Sequence, residues 1–290
     1  MRIFVAGATG VVGRVLIPQL IAAGHQVSGI SRSSAGMAGL RHQGATAFQG
    51  DVYDRDALKQ IVVEAAPDVV MQQLTDLSTA DSEATDTVRR LGTRNLVEAA
   101  KNAGVQRIVA QSLAFGYAPG DAPADESAPL DRDAEEQRRA MVEGVEALEE
   151  TAAELRDAVL LRYGVLYGPG TWYAPDGPAA AALAGDPAAS FLGSVEANDS
   201  VVSFVHVRDA ARAAVDALEW PSGPVNITDD EPAAAREWVP VYAASLGLPA
   251  PRPTSGKLDW ARGATNTLAR SRGWQPEFPS WRTGFAAQLS

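Results

Sequence analysis

The sequence predicts an α/β protein built on a doubly wound parallel sheet, with a smaller C-terminal lobe. Three observations carry that expectation. An apolar run, Ile3-Phe4-Val5-Ala6, leads straight into Gly7-Ala8-Thr9-Gly10-Val11-Val12-Gly13. Short β-branched runs then alternate with stretches of helical period through the first half of the chain. Beyond Gly168 that alternation breaks and Pro and Gly become denser.

Residues 3–6 form the first predicted strand, and the glycines open a helix over 11–23 that Gly24 closes as a C-cap. A strand at 26–30, a helix near 55–65 and a strand at 68–72 follow. A helix over 86–103, with Gly104 just past its end, precedes a strand at 107–111. A loop rich in Pro, Gly and Asp (117–133) leads into a long helix. There Met141, Val145, Leu148, Ala152 and Leu155 recur every three or four residues, a stripe bound for the core or for a partner helix. Strands are expected at 158–162, 201–207 and 225–227.

A strand that ends in closely spaced glycines and opens a helix brings backbone N–H groups and a helix N-terminus against a pyrophosphate. Residues 1–166 are therefore expected to bind a dinucleotide, with the last strands of the sheet supplied by about 201–228. Residues 167–290 are mainly a substrate lobe.

Composition narrows the function. The 290 residues are 46% hydrophobic, enough for a large packed core. The net charge of −11, with no run of Lys or Arg, argues against nucleic acid. Without cysteine there are no disulfides, thiolate metal sites or cysteine nucleophiles, and no metal is expected; a reducing cytoplasm fits best. The N-terminal apolar run is too short for a membrane span. Lysine is confined to Lys59, Lys101 and Lys257 while Arg and Ala are plentiful, the bias of a GC-rich bacterial genome.

The glycine turn has companions: Gly50-Asp51-Val52, Gly92-Thr93-Arg94-Asn95-Leu96, the stretch from Leu161 to Gly170, Ser203-Phe204-Val205-His206-Val207-Arg208-Asp209-Ala210-Ala211, and Val225-Asn226-Ile227. Across nearly the whole chain they resemble extended short-chain dehydrogenase/reductases of the NAD(P)-dependent epimerase/dehydratase type. The resemblance implies a Rossmann-type fold. It also implies cofactor contacts from Gly7, Thr9, Gly10, Val11, Val12, Gly13, Asp51, Val52, Gln72, Leu74, Asn95, Gln111 and Tyr163. Asp51 also reads as a turn former, and His206 reads as a packed strand residue. After strand two, Ser31-Arg32-Ser33 offers no carboxylate for a ribose 2′-hydroxyl and one arginine for a 2′-phosphate, so NADP(H) is expected over NAD(H).

The family's catalytic pair, a tyrosine four residues before a lysine, is missing. None of Tyr53, Tyr117, Tyr163, Tyr167, Tyr173 and Tyr242 has a lysine four positions later, and residues 138–146 contain neither type. The resemblance leaves Ser112 to orient a substrate oxygen, with Tyr117, Tyr163, Tyr167 or Tyr173 as substitute proton donors. Val165 and Val202 stand where nucleotide-sugar enzymes often carry polar anchors, so a nucleotide sugar is not expected. Trp172, Tyr173, Phe191 and Leu192 read as pocket wall or as ordinary core.

The leading expectation is an NADP(H)-dependent oxidoreductase for a small, largely apolar carbonyl or alcohol. The alternatives are a non-redox isomerase, lyase or cyclase that retains the cofactor, and a non-catalytic NADP(H) sensor. The helices over 86–103 and 138–155 match those through which many relatives dimerise, so a homodimer is a further expectation.

Overall fold

The computed structural model describes residues 1–75, 82–192 and 195–287. In chain order the first elements are β1 (Arg2–Ala6), α1 (Val11–Ala22), β2 (Gln26–Ser31), α2 (Ser34–His42), β3 (Thr46–Gln49), α3 (Arg55–Ala65) and β4 (Val69–Gln72). Then come α4 (Ser82–Thr87), a π-helical turn (Val88–Gly92), α5 (Thr93–Asn102), β5 (Arg107–Leu113), α6 (Glu136–Ala152), β6 (Asp157–Tyr163) and β7 (Val165–Tyr167). The remainder comprises α7 (Pro178–Leu183), a 3-10 turn (Pro187–Leu192), β8 (Val201–Val202), β9 (Phe204–His206), α8 (Val207–Asp216), β10 (Gly223–Ile227), β11 (Ala233–Ala234), α9 (Ala235–Ser245), α10 (Thr267–Ser271) and α11 (Trp281–Ala287).

Seven strands make one sheet in the order β3-β2-β1-β4-β5-β6-β10. The pairs β1–β2, β1–β4, β2–β3 and β4–β5 are parallel, with Ile3 opposite both Val27 and Val69. This is the predicted doubly wound arrangement, and its order reverses between β1 and β4, the place where such sheets bind ligands.

The chain divides into two units. The first comprises Met1–Ser112, Glu135–Leu161 and Ala211–Pro224. Its core joins Phe4, Val70 and Ile108 from the sheet to Leu58 and Val62 of α3, Leu96, Val97 and Ala100 of α5, and Leu148 and Ala152 of α6. Much of the apolar stripe predicted on α6 is thus buried in the chain's own core, although Met141 is only half-buried. The helix ends are closed by backbone bonds: Gly24 and His25 donate to Ile21 and Leu20, and Gly104 and Val105 donate to Lys101 and Ala100, as the glycine positions predict. Asp54 caps α3 by accepting from the Ala57 N–H at 3.1 Å.

Three departures from the sequence expectation have a clear physical cause. The helix over 86–103 is interrupted by the π-turn, so α4 and α5 do not share one register. Residues 34–49 form α2 and β3, which carry no apolar signal: α2 buries only Leu40, and β3 is an edge strand with no fully buried residue. The strand over 201–207 breaks at Ser203, whose hydroxyl donates to the Ala264 carbonyl and accepts from its N–H. β8 therefore pairs with β11 and β9 with β7, and α8 already begins at Val207.

The second unit comprises Leu113–Ala134, Arg162–Ala210 and Val225–Ser290. Its core is aromatic, with Phe204 meeting Trp238 edge-on at 5.2 Å and Tyr167 meeting Phe285 at the same spacing. Beside it, His206 is 3% exposed. Its ring lies 3.8 Å from that of Phe278, and its Nδ1 accepts from the Arg208 N–H. Burial, reinforced by the Arg208 charge, pushes the His206 pKa down to about 4.

Two stability effects follow. Ala66 ends α3 with φ +42°, the left-handed region that disfavours a side chain. Ala66→Gly is expected to raise unfolding stability by about 0.5–1 kcal/mol in urea titrations, because relief of strain outweighs the added freedom of the unfolded chain. The neutral His206 favoured by the fold contributes stability that is complete above the ordinary histidine pKa of 6.5 and is lost as pH falls through about 4. In His206→Asn, urea midpoints are expected to fall less steeply over that window than in the wild type.

Candidate functional site

The first unit builds its site at the β1/β4 switch point. Gly7 leaves β1 with φ +87°, and a Cβ there would lie 2.1 Å from the Gln73 carbonyl oxygen. A Cβ on Gly13 would lie 2.2 Å from the Gly7 oxygen, so α1 packs against the turn backbone to backbone. The Gly10 N–H closes the turn onto the Gly7 carbonyl at 3.0 Å, and the Arg14 guanidinium holds the Thr9 carbonyl at 2.7 Å. Gly10 and Val11 are exposed, Val12 is buried, and the first turn of α1 carries no acidic residue. This leaves free helix N–H groups facing a glycine cradle, which fits the pyrophosphate of a dinucleotide.

Two further places complete the cradle. After β2, Arg32 is exposed and has no partner among the described residues. Ser33 caps α2 by accepting from the Gly36 N–H at 3.0 Å. After β3, Asp51 Oδ1 accepts from the Tyr53 N–H at 3.0 Å, so its carboxylate shapes the turn whatever else it touches. The Asn95 side chain donates to the Val52 carbonyl at 2.9 Å, tying α5 to that turn. Asn95 thereby positions Val52.

At the end of β4, Gln72 is fully buried and its amide nitrogen donates to the Thr93 hydroxyl at 3.0 Å. Its Oε1 has no hydrogen-bond partner among the described residues, a buried unpaired acceptor at the end of β4. Gln111 at the end of β5 donates to the Leu74 carbonyl. Next to it, Ser112 is 4% exposed and its hydroxyl donates to Glu149 Oε1 of α6 at 2.6 Å. Glu149 is a contact that sequence reasoning misses, although a carboxylate next to Leu148 and four residues after Val145 breaks an apolar helix face and marks a buried polar contact.

The remaining candidates belong to the second unit. The Tyr117 hydroxyl donates to Asn226 Oδ1 at 2.6 Å and accepts from the Arg162 guanidinium at 3.0 Å. Asn226 in turn bonds the carbonyls of Ala124 and Thr265. Tyr117 thus knits loops together, and burial raises its pKa, the Arg162 charge opposing. Tyr163 is 2% exposed, and its carbonyl accepts from the Ala114 N–H. Tyr167 is fully buried against Gly284, and burial drives its pKa far up.

A cavity of about 390 Å³ opens in this unit, walled by Trp172, Tyr173, Trp238 and Trp260, with Val202, Asn198 and Glu196 at its margin. The Tyr173 hydroxyl has no hydrogen-bond partner among the described residues, and burial pushes its pKa up to about 12. Trp238 Nε1 is a buried donor without a partner among the described residues. Phe191 is half-exposed and meets the edge of Trp172 at 6.0 Å without lining the cavity. The Leu192 side chain lies outside the described residues. Among the described residues no group of His, Asp and Glu could hold a metal ion, and no helix is long and apolar enough to cross a membrane.

Residues 3–228 match the NAD dependent epimerase/dehydratase family. A 3-diazoavenalumate denitrifying reductase from a Streptomyces species is 42% identical over 313 aligned positions, covering 99% of this chain and 100% of that protein. A UDP-glucose 4-epimerase of Mycolicibacterium smegmatis is 34% identical over 118 residues, 38% of this chain and 37% of that one. Among solved structures, the Thermus thermophilus UDP-glucose 4-epimerase complex with NAD aligns at TM-score 0.75 and 24% identity, over 100% of this chain and 98% of that one. The Stenotrophomonas maltophila UDP-glucose-4-epimerase, with bound NAD and formylated UDP-arabinopyranose, aligns at 0.77 and 21%, over 99% and 96%. At those identities the likeness is one of fold. A match that runs from β1 to the end of β10 exceeds any single nucleotide motif: the chain belongs to the NAD dependent epimerase/dehydratase family.

Proposed function

We propose that this protein is an NADPH-dependent reductase of a small, largely apolar arene, and that its electrophile is an aryl diazo group. The observation that carries the reading is the state of the two hydroxyls best placed in sequence to give a proton: Ser112 donates to Glu149, and Tyr117 donates to Asn226. No tyrosine or lysine on α6 takes their place.

Reducing a carbonyl leaves an alkoxide, and a positioned acid is worth about 10²- to 10⁴-fold in that step. Reducing an arenediazonium leaves none. Its C–N bond breaks, dinitrogen departs, and the new C–H bond takes its hydrogen and its electron pair from a hydride, so no proton is consumed. Ser112 and Tyr117 hydroxyls turned inward suit that chemistry. The full-length relative named as a denitrifying reductase supports the same choice.

Bound at the glycine turn, the reduced nicotinamide supplies the hydride. Gly7, Gly10 and Gly13 hold the pyrophosphate, Asp51 and Val52 shape the adenine turn, and Arg32 with the capped start of α2 receives the 2′-phosphate. The aromatic lining of the second unit's cavity suits an apolar molecule, and Val202 within it offers nothing to a sugar diphosphate.

Incubation with NADPH and a simple arenediazonium is expected to yield the arene, dinitrogen and NADP⁺ in equal amounts, with deuterium on the arene carbon when the transferring position of NADPH is deuterated. Turnover of ketones but not of the diazonium overturns the diazo reading. In calorimetry, Arg32→Ala is expected to weaken NADPH at least about tenfold and to leave NADH unchanged; equal weakening of both overturns the NADP preference.

A further inference from the structure

Arg89 is the buried cation that neither the fold nor the proposed chemistry accounts for. It is 8% exposed and sits on the π-helical turn between α4 and α5. No hydrogen bond or ion pair ties its guanidinium to any of the described residues. Asp86, whose charge acts on it, has Oδ2 accepting from Arg90 Nε at 2.8 Å and keeps a buried Oδ1 that bonds none of the described residues. Desolvation lowers the Arg89 pKa and Asp86 only partly opposes that.

The position is as telling as the lack of a partner. Thr93, the first residue of α5 after the π-turn, accepts from Gln72 at the carboxyl end of β4. Arg89 therefore stands about one helical turn before Thr93, the residue that ties α5 to the carboxyl end of β4. α6 closes over it at Gly144, where a Cβ would meet Asp86 Oδ1 and come within 3.7 Å of Arg89 Cδ. π-turns inside helices recur at functional sites.

We propose that Arg89 is an anion-binding residue that receives the carboxylate of the substrate, so that the arene reduced by this protein is an arene carboxylate. A guanidinium presents parallel N–H groups that match the two oxygens of one carboxylate. A phosphate usually gathers more cations than the single unpaired arginine found here. In a chain with a net charge of −11, such a pocketed cation also gives a negatively charged substrate a local reason to bind. This deepens the reading of an arene reductase, but its test does not depend on diazo chemistry.

The test titrates cinnamate and its neutral isostere cinnamamide into protein loaded with NADP⁺, which cannot give a hydride, using calorimetry. Wild type is expected to bind cinnamate at least about tenfold tighter than the amide, as a charged hydrogen-bonded pair provides. Arg89→Gln and Arg89→Met are expected to abolish that preference while leaving amide and NADP⁺ affinity unchanged, and Arg89→Lys to keep part of it. Melting temperatures of Arg89→Gln and Arg89→Met without cinnamate are expected to equal or exceed that of the wild type, since a structural arginine would lower them on removal. Equal affinity for acid and amide in wild type, no binding of either, or a preference that survives Arg89→Gln overturns the proposal. Denitrifying turnover is measured separately with NADPH, so either idea can fail while the other stands.

Discussion

The constraint on which the first unit depends is a contact between pieces of backbone. Gly7 turns the chain off β1 directly beneath the Gln73 carbonyl, and Gly13 lets α1 settle onto the Gly7 oxygen. Neither approach tolerates a methyl group. Because β1 and β4 are neighbours in the sheet, this one close approach fixes where α1 starts, where its free N–H groups point and where the end of β4 lies. The unpaired acceptor on Gln72, the Thr93 bond to it and the π-turn are all built outward from that point.

The chemistry around the switch point is marked by donors that face inward. A hydroxyl 2.6 Å from a carboxylate donates its one hydrogen bond to that carboxylate and presents only lone pairs elsewhere. Ser112 in this state accepts hydrogen bonds and does not steady a developing oxyanion. The family fold supplies the place where a nicotinamide would lie, and in the proposed denitrifying reaction the leaving group would remove the need for a proton relay.

Where the sequence carries strong periodicity, it is a good guide. β1, α1 and the capping glycines can be read because apolar spacing and glycine position both have local causes. The edge elements α2 and β3 cannot, because α2 buries a single side chain and leaves almost no periodic trace. The π-turn is invisible for a different reason, since a one-residue insertion shifts the period without breaking it. Of the site, the glycine turn, Arg32, Asp51 and Asn95 are legible as types at suitable spacing. That Asn95 grips the Val52 carbonyl, or that Ser112 meets Glu149, depends on helices docking on a sheet, and neither residue has its partner nearby in sequence.

The π-turn has a consequence for how this helix pair is geared. Each residue of a regular helix advances the chain by about 100° of rotation. The wider turn absorbs an added residue, so α4 and α5 present faces that a continuous α-helix would hold out of phase. Removing one residue between Val88 and Gly92 would restore a regular helix and swing everything before it around the axis, carrying Arg89 off the interior side while Thr93 kept its grip on Gln72. The length of a single turn, rather than the identity of any residue in it, decides whether the cation is buried.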